Sequence, residues 1–488
     1  MGAVRRRVEL AAARKAAGLT QEQLAEALRV DRKTVIAWET GQHTPQPYVR
    51  PKLAHLLQQT TAELNVLVDG SDEPVAIDRA DLDGAFRWLD DRAGWVDGTG
   101  RRRVGAALAG LPRRGESVGR GAVADALSRY YGDGGRYVVG VGGTELATSV
   151  VTRAEWLDLA CPLGAGGDDM ALSLAASPDP VVLDERAADV AVRRLAEAVA
   201  GGARLADAPM YRLVGVEPGP AVIRGRVEVA SFLDYALTVD LLERELVDAL
   251  AEERDELPLR DGLLPDLASV FGLEGRLCAG GVLALCAVAR PGDPYTGEPD
   301  YALLVQERSA EVVNAVGRLA VIPKGFHAPL NDVRADARIG ATLLREMEEE
   351  LFGRGELDST GGAQRAAAPM HRSRLSEPMR WLTEVPGRLR MECTGFGLNL
   401  VSGNYEFACL VVIEDDEFWT RFGGQIEANW ESAGLRLYSS LDADSVEHLA
   451  RDESWSNEGL FAFLQGVRRL REVGGERVGL PAVEWRVD

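Results

Sequence analysis

The chain has 488 residues, of which 46% are hydrophobic and 27% charged, with a net charge of −21, so we predict two to four domains of a globular protein. The longest nearly apolar run, residues 277–289, is too short for a membrane helix and reads as a buried strand, and no signal-peptide core follows the basic N-terminus. The five cysteines are odd in number and scattered, which argues against a disulfide framework or a zinc site and favours a cytoplasmic protein.

The charge is unevenly distributed along the chain. Residues 1–60 carry ten Lys and Arg against five Asp and Glu, which gives this segment a charge of +5 and the remainder −26. A small basic segment on a large acidic chain binds phosphate only through its basic part. The first 68 residues, called the head below, are therefore a candidate DNA-binding unit.

The head reads as short helices separated by tight corners. Gly18 ends a first helix, and Thr20 with Gln23 gives the capping-box pattern that begins a second. Asp31 is a good N-cap for a third helix, on which Val35 points inward and the basic first turn is left outward. This spacing predicts two helices with a sharp corner between them.

These residues resemble the helix-turn-helix domains of phage repressors and related bacterial regulators, over roughly residues 5–68. The resemblance implies binding to double-stranded DNA, usually as a homodimer on two-fold-related half-sites. The alternative is a plain helical bundle with a solvated basic face. Arg29 stands at the corner where the family usually has glycine, so its side chain distorts the turn or touches phosphate. The residues expected to meet bases or phosphates are Gln21, Arg32, Lys33, Thr34, Arg29, Arg50 and Lys52.

The middle of the chain is less informative. Residues 69–78 are a linker by composition, and residues 79–270 form an α/β region whose chemistry the sequence does not name. We predict that this region links, dimerises or shapes a pocket. Its predicted elements are a hairpin within Arg136–Leu159, helices at Asp184–Ala200 and Ser231–Glu252, and two strands within Met210–Val229.

Residues 271–488 form a second informative region. Buried strands precede Lys324 and Gly325, and a glycine at the end of a strand allows a phosphate chain to approach the backbone. A helix is predicted at Ala335–Leu351. The later elements predicted here are strands at Phe396–Leu400 and Glu406–Ile413 and a helix at Asn457–Arg471.

The helix at Ala335–Leu351 carries an acidic cluster. Glu346, Glu349 and Glu350 are spaced i, i+3 and i+4, so they share one face. Three carboxylates repel one another unless a hard divalent cation binds them, which makes them candidate ligands for Mg²⁺ or Mn²⁺. Arg345 can hold one of them in place. The alternative is an ordinary solvated acidic face.

The segment Arg345–Glu350 resembles the heart of the Nudix box, the signature of hydrolases that cleave nucleoside diphosphates linked to another group. The resemblance covers roughly residues 272–475. It implies an α/β/α sandwich, metal binding by Glu346, Glu349 and Glu350, catalytic roles for Glu349 and Arg345, and a phosphate loop at Lys324 and Gly325. The departures are Ala337 where the family has Glu, Phe352 where it has Gly, and a spacing from Gly325 to Arg345 that is six residues longer.

The predicted fold is multidomain: an all-α helix-turn-helix at 1–68, an α/β region at 79–270 and a C-terminal α/β/α Nudix-like sandwich at 271–488. The predicted function is a DNA-binding transcriptional regulator whose Nudix-like domain senses a nucleotide-type metabolite. One alternative is a Mg-dependent Nudix hydrolase of a nucleoside diphosphate derivative, localised by its head. The other is a scaffold without a ligand. The degenerate box leaves enzymatic activity open.

Overall fold

The structure of the chain, a computed structural model, describes residues 8–488 apart from several short segments. Those segments are residues 29, 41–42, 44, 46–48, 58, 60–63, 65–67, 69–81, 112–117, 133, 165, 174–180, 204, 293–296, 309–316, 354–368, 424–425 and 427–431. The predicted linker at 69–78 thus lies outside the described residues. Among the described helices, none is long and apolar enough to cross a membrane.

The α-helices of five or more residues in the described part of the chain are numbered in order, and a three-residue α-helical turn at Phe232–Asp234 is left unnumbered. They are α1 (Val8–Ala16), α2 (Gln21–Leu28), α3 (Arg32–Glu39), α4 (Arg50–Leu56), α5 (Asp83–Arg92), α6 (Thr99–Leu108), α7 (Arg120–Tyr131), α8 (Glu185–Gly201), α9 (Leu241–Ala251), α10 (Pro258–Leu263), α11 (Leu267–Phe271), α12 (Ile339–Glu346), α13 (Glu377–Glu384), α14 (Asp416–Phe422), α15 (Ala443–Ala450) and α16 (Asn457–Val473). Turns of π-helix at Tyr235–Val239 and Met347–Leu351 precede α9 and follow α12.

The strands are numbered in the same way. They are β1 (Arg136–Val141), β2 (Thr144–Val151), β3 (Cys161–Pro162), β4 (Asp168–Leu172), β5 (Pro209–Pro218), β6 (Ile223–Ser231), β7 (Gly280–Arg290), β8 (Asp300–Arg308), β9 (Leu319–Val321), β10 (Lys324–Phe326), β11 (Leu389–Asn399), β12 (Asn404–Ile413), β13 (Ser432–Ser439) and β14 (Val483–Val487).

The chain divides into two compact units, one made of residues 1–114 and 181–206, the other of 115–180 and 207–488. In the first unit, α1 to α4 form the head. The predicted capping box is confirmed, since Thr20 N donates to Gln23 Oε1 at 2.8 Å and Gln23 N to Thr20 Oγ1 at 3.1 Å. The buried core of the head is Leu10, Leu24, Ala25, Leu28, Val35, Trp38, Val49, Leu53, Ala54, Leu57, Leu64 and Val68.

Three further helices of the first unit, α5, α6 and α8, pack on one another. The buried Asp90 carboxylate accepts hydrogen bonds from Gly98 N at 2.7 Å and Gly100 N at 2.6 Å, which satisfies the free N–H groups at the start of α6. At the start of α8, Asp184 accepts from Ala187 N at 2.8 Å. The helix predicted there is confirmed, and it closes at Gly202 with φ +73°.

The second unit is built on a large mixed sheet. In the described part of the chain this sheet has eleven strands. Eight follow the order β13-β8-β7-β12-β11-β2-β1-β14, and the short strands β9, β10 and β3 pair with β8, β7 and β11. The pair β7 and β12 is parallel. Strand β11 pairs with β2 through Leu398 and Val151, so the sheet joins strands from both sides of the boundary predicted at residue 270. A separate small sheet has the order β4-β6-β5.

Both faces of the central strand β7 are buried. Leu283 and Leu285 lie in the main core together with residues of α16. Their neighbours Val282 and Ala284 point to the opposite face, because side chains alternate along a strand, and they are also fully buried. The run predicted as a buried strand is therefore confirmed, and a mixed α/β region with a large sheet follows the helical head.

Candidate functional site

The first turn of α3 presents basic side chains to solvent. Arg32 and Lys33 are exposed and Thr34 is half-buried. Arg32 Nη1 lies 3.3 Å from Glu22 Oε1, but both side chains are more than half exposed, so this ion pair is weak and readily exchanged for phosphate or a base. Asp31 occupies the N-cap position with extended backbone, although its side chain makes no capping hydrogen bond. This surface is suited to contact DNA.

Gln21 has an interior partner. Its Nε2 donates to Glu39 Oε2 at 2.7 Å, and Glu39 Oε1 accepts from Arg14 Nε at 2.6 Å. Arg14 Nη1 also donates to Leu19 O at 2.7 Å. The buried Arg14–Glu39 pair therefore ties α1, the corner before α2 and the end of α3 together. The structure gives Gln21 a positioning contact, and its contact with a base stays a prediction.

The remaining residues predicted to contact DNA differ in exposure. Lys52 is exposed on α4. Arg50 is half-buried, and its Nε donates to Pro45 O at 3.1 Å. Arg29 lies outside the described residues. A substitution of Lys52 therefore tests a phosphate contact at α4 with less disturbance of the fold than a substitution of Arg50.

In the second unit, the predicted residues around the acidic cluster come together where β10 meets α12. The helix begins at Ile339, four residues later than the predicted Ala335, because a carboxylate from the small sheet caps it: Asp168 Oδ2 accepts from Gly340 N at 2.7 Å. Burial raises the pKa of Asp168. The helix also changes to π-helix at Met347, a feature that often marks functional sites.

Gly325 and Glu346 are in direct contact. A Cβ atom at residue 325 would overlap the Glu346 carboxyl group, so any larger residue there must displace this side chain from its present position. Arg345 holds the same carboxylate, with Nη2 donating to Glu346 Oε1 at 2.8 Å, and it also donates to the carbonyls of Phe326 and Ala328 at 3.1 and 3.0 Å. The predicted role of Arg345 in fixing one carboxylate is thus seen in the geometry.

Lys324 joins the cluster through its backbone and its side chain. Lys324 N donates to Glu350 Oε2 at 2.6 Å, and Arg308 Nη1 lies 3.7 Å from Glu350 Oε1. Lys324 Nζ donates to Glu458 on α16 at 2.8 Å. Burial disfavours the ionised form of Glu458, but Lys324 together with hydrogen bonds from the Glu458 backbone and Ser456 outweighs it, so the pKa of Glu458 is lowered. We call Lys324, Gly325, Arg345, Glu346, Glu349, Glu350 and Glu458 the Lys324 site.

In the Lys324 site, carboxylates predicted to bind Mg²⁺ or Mn²⁺ are paired with groups of the protein. Within the described ranges, no three or more His, Cys, Asp or Glu side chains are arranged to hold a metal ion. The physical reason is that cationic and N–H groups of the protein already neutralise the carboxylates, Arg345 on Glu346 and Arg308 with Lys324 N on Glu350. Metal binding by Glu346, Glu349 and Glu350 stays a prediction, and no chemical step is derived through it.

Several polar residues of this region were missed by the sequence analysis. Glu458, Asn399 and Glu406 come from α16, β11 and β12, and Asn399 Nδ2 donates to Glu458 Oε2 at 3.2 Å. Burial, reinforced by the charge of Glu458, raises the pKa of Glu406 well above its usual range. No local pattern could reveal them, because single polar residues in buried strands acquire a role only when distant segments pack together.

Ala337 and Phe352, the two departures from the Nudix box, are packing positions. Ala337 is fully buried, and its carbonyl oxygen lies 2.8 Å from His327 Nε2. His327 Nδ1 lies 3.0 Å from the Tyr405 hydroxyl. Since the carbonyl of Ala337 can only accept a hydrogen bond, the neutral imidazole of His327 carries its proton on Nε2. The Phe352 ring lies edge-on to the Phe418 ring, with the two ring centroids 6.2 Å apart.

We predict that His327 makes the second unit acid-sensitive. Burial lowers the pKa of His327 from 6.5 to about 4. Because the pKa is lower in the folded state, the contribution of His327 to the free energy of unfolding is fully present above pH 6.5 and is lost as the pH falls toward 4. Between pH 7 and pH 5 the free energy of unfolding should fall by about 2 kcal/mol. Chemical unfolding at these two pH values measures the loss. In His327→Gln the loss should shrink by that amount, whereas the exposed control His448→Gln should retain it.

Comparison with known proteins identifies the head. Residues 10–64 match a family model described as helix-turn-helix. No curated protein matches the chain. The head is thus a DNA-binding helix-turn-helix domain, of the kind that transcription regulators carry, and it is followed by the α/β region described above.

Proposed function

We propose that this DNA-binding regulator senses a nucleotide-type metabolite through its Lys324 site, and that the bound metabolite changes the affinity of the head for operator DNA. The single observation that carries the proposal is the presence, on one chain, of a helix-turn-helix head and of an Arg-Glu box whose Glu346 lies against Gly325. We further propose that the chain binds DNA as a homodimer, since such domains usually read two-fold-related half-sites.

The arrangement of β10 and α12 supports a phosphate-bearing ligand. Gly325 lets the Glu346 side chain lie directly against the backbone, and Lys324 and Arg308 bring positive charge to the same region, where they pair with Glu458 and Glu350. The proposal of a Nudix-like domain is supported by the order of its elements, which are strands, the box helix, further strands and the late helix α16. A ligand acts on the head only if it prefers one of two states of the protein.

The protein groups that bind the carboxylates of Glu346 and Glu350 favour sensing over hydrolysis. A Nudix hydrolase needs free carboxylates for a divalent cation that activates water. In this chain Glu346 and Glu350 are engaged by arginine and by a backbone N–H. Hydrolysis of nucleoside diphosphate derivatives that is abolished by EDTA and by Glu349→Gln would reverse this preference.

The proposal is tested by operator binding. An operator is first selected from random DNA with the full chain, and its dissociation constant is then measured with and without ADP-ribose, NAD and nucleoside triphosphates. We expect at least one compound to change the constant several-fold in the wild type and not in Gly325→Ala. The matched control is Gly262→Ala, where an added Cβ meets open space. No response to any compound would refute sensing of nucleotides.

The head provides a separate prediction about base reading. Arg32→Ala should lower the preference for operator over random DNA by about tenfold or more, because a specific Arg–base contact contributes roughly 1–3 kcal/mol of discrimination. Lys52→Ala should weaken binding to both DNAs alike, because a phosphate contact carries no sequence information. Fluorescence anisotropy on the two DNAs measures both effects. Equal losses on both DNAs for Arg32→Ala would show that Arg32 reads no base.

A further inference from the structure

A buried carboxyl group without a hydrogen bond lies at the Lys324 site. Glu406 of β12 is only 5% exposed. In the described part of the chain its carboxyl group has no hydrogen-bond partner, unlike Glu458, which accepts from Lys324 Nζ at 2.8 Å. The Glu406 oxygens keep a small accessible surface, because the oxygens that are sealed from solvent without a partner belong to other residues. A ligand can therefore touch this group.

The fold places Glu406 beside Gly325. Side chains alternate along a strand, so Glu406 points to the same face of β12 as Leu410, which packs in the core with α16. Glu458 belongs to the first turn of that helix. The register partner of Glu406 in β7 is Gly281, where an added Cβ atom would overlap the carbonyl oxygen of Gly325. The Gly325 backbone thus crosses β7 next to Glu406.

The charges around Glu406 favour its protonated form. Glu458 and Lys324 both act on Glu406, but Lys324 is already hydrogen-bonded to Glu458. A second carboxylate in this buried region would lack a countercharge of its own, which is costly away from water. Burial, reinforced by the charge of Glu458, accordingly raises the pKa of Glu406. As a carboxylic acid, Glu406 has an O–H group to donate.

We infer that Glu406 is a ligand-binding residue of the Lys324 site and donates a hydrogen bond from its carboxylic acid to a phosphoryl oxygen of the metabolite. This inference rests on the proposed function and adds a residue that lies outside the Arg-Glu box. A neutral acid accommodates an anionic phosphate, which a carboxylate would repel. Hydrogen bonds to charged oxygens are also stronger than those between neutral groups.

Two substitutions of Glu406 separate the hydrogen bond from the shape of the side chain. Glu406→Gln keeps a donor, whereas Glu406→Met keeps the length of the side chain and removes the donor. Isothermal titration calorimetry with ADP-ribose, NAD and ATP measures binding to the full chain. We expect Glu406→Met to weaken binding about tenfold or more and Glu406→Gln to stay within about threefold of the wild type. Leu410→Met, on the same face of β12, is the control and should leave binding unchanged.

A second measurement needs no ligand and stays decisive if Glu406→Met does not fold. The infrared spectrum of the wild type should contain the C=O stretching band of a protonated carboxyl group that Glu406→Gln lacks. If the two spectra show no such difference, the donor role of Glu406 is overturned whatever the protein binds.

The outcomes also separate this inference from the proposed function. Wild-type affinity in a folded Glu406→Met variant would overturn the contact with Glu406, while sensing would stand if operator binding still responded to the compound. Binding that depends on Glu406 but leaves operator affinity unchanged would support the contact and refute sensing. A wild type that binds none of the compounds would overturn both.

Discussion

Replacing Glu39 by alanine is expected to unfold the head and abolish DNA binding, although Glu39 is buried within the head. Glu39 holds Arg14 at 2.6 Å and Gln21 at 2.7 Å. Removing one member of a buried ion pair leaves the other charge uncompensated and costs about 3–5 kcal/mol. That loss is comparable to the whole stability of a domain of this size, about 3–10 kcal/mol.

The measurement is operator binding together with thermal unfolding of the full chain. The matched control is Glu26→Ala, which removes the same charge from an exposed position of α2. It should retain the melting temperature and most of the affinity. If Glu39→Ala instead keeps a folded head that binds the operator normally, the Arg14–Glu39 pair does not stabilise the domain.

Replacing Arg260 by methionine is expected to destabilise the second unit by about 4 kcal/mol, because buried carbonyls left without a donor cost about 1–3 kcal/mol each. Arg260 is fully buried. Its guanidinium donates to the Tyr131 hydroxyl at 3.1 Å and to Leu242 O at 3.3 Å. It also donates to the carbonyls of Leu400 and Val401 in the turn between β11 and β12. One side chain thus joins α7, α9 and this turn.

Chemical unfolding of the full chain measures this loss, and hydrogen exchange locates it. Faster exchange is expected in β11 and β12 of Arg260→Met. Arg254→Met is the matched control, since Arg254 is exposed in the same unit and its nearest partner is the exposed Glu252. Stability within about 1 kcal/mol of the wild type would mean that neighbouring donors or water replace the guanidinium.

The sequence by itself determined the head. Its signals are local: Thr20 with Gln23 begins α2, Gly18 with φ +72° ends the first helix, and Val35 and Trp38 follow the helical period. Each signal spans only a few residues, because a helix is specified by caps and by side chains three or four positions apart. The strands of the large sheet were predictable for a similar reason, since continuous apolar runs such as β7 are typical of buried strands.

The tertiary structure alone decided what the polar residues do. Gln21 has the same sequence context whether it meets a base or Glu39, and only the packing of α2 against α3 gives it Glu39. Likewise, the spacing of Glu346 and Glu350 predicts a shared face, but Arg345 and Arg308 decide that cationic side chains neutralise them. A buried charged group acquires a partner or, like Glu406, has its pKa shifted toward the neutral form, and both outcomes depend on segments far apart in the chain, which no local pattern records.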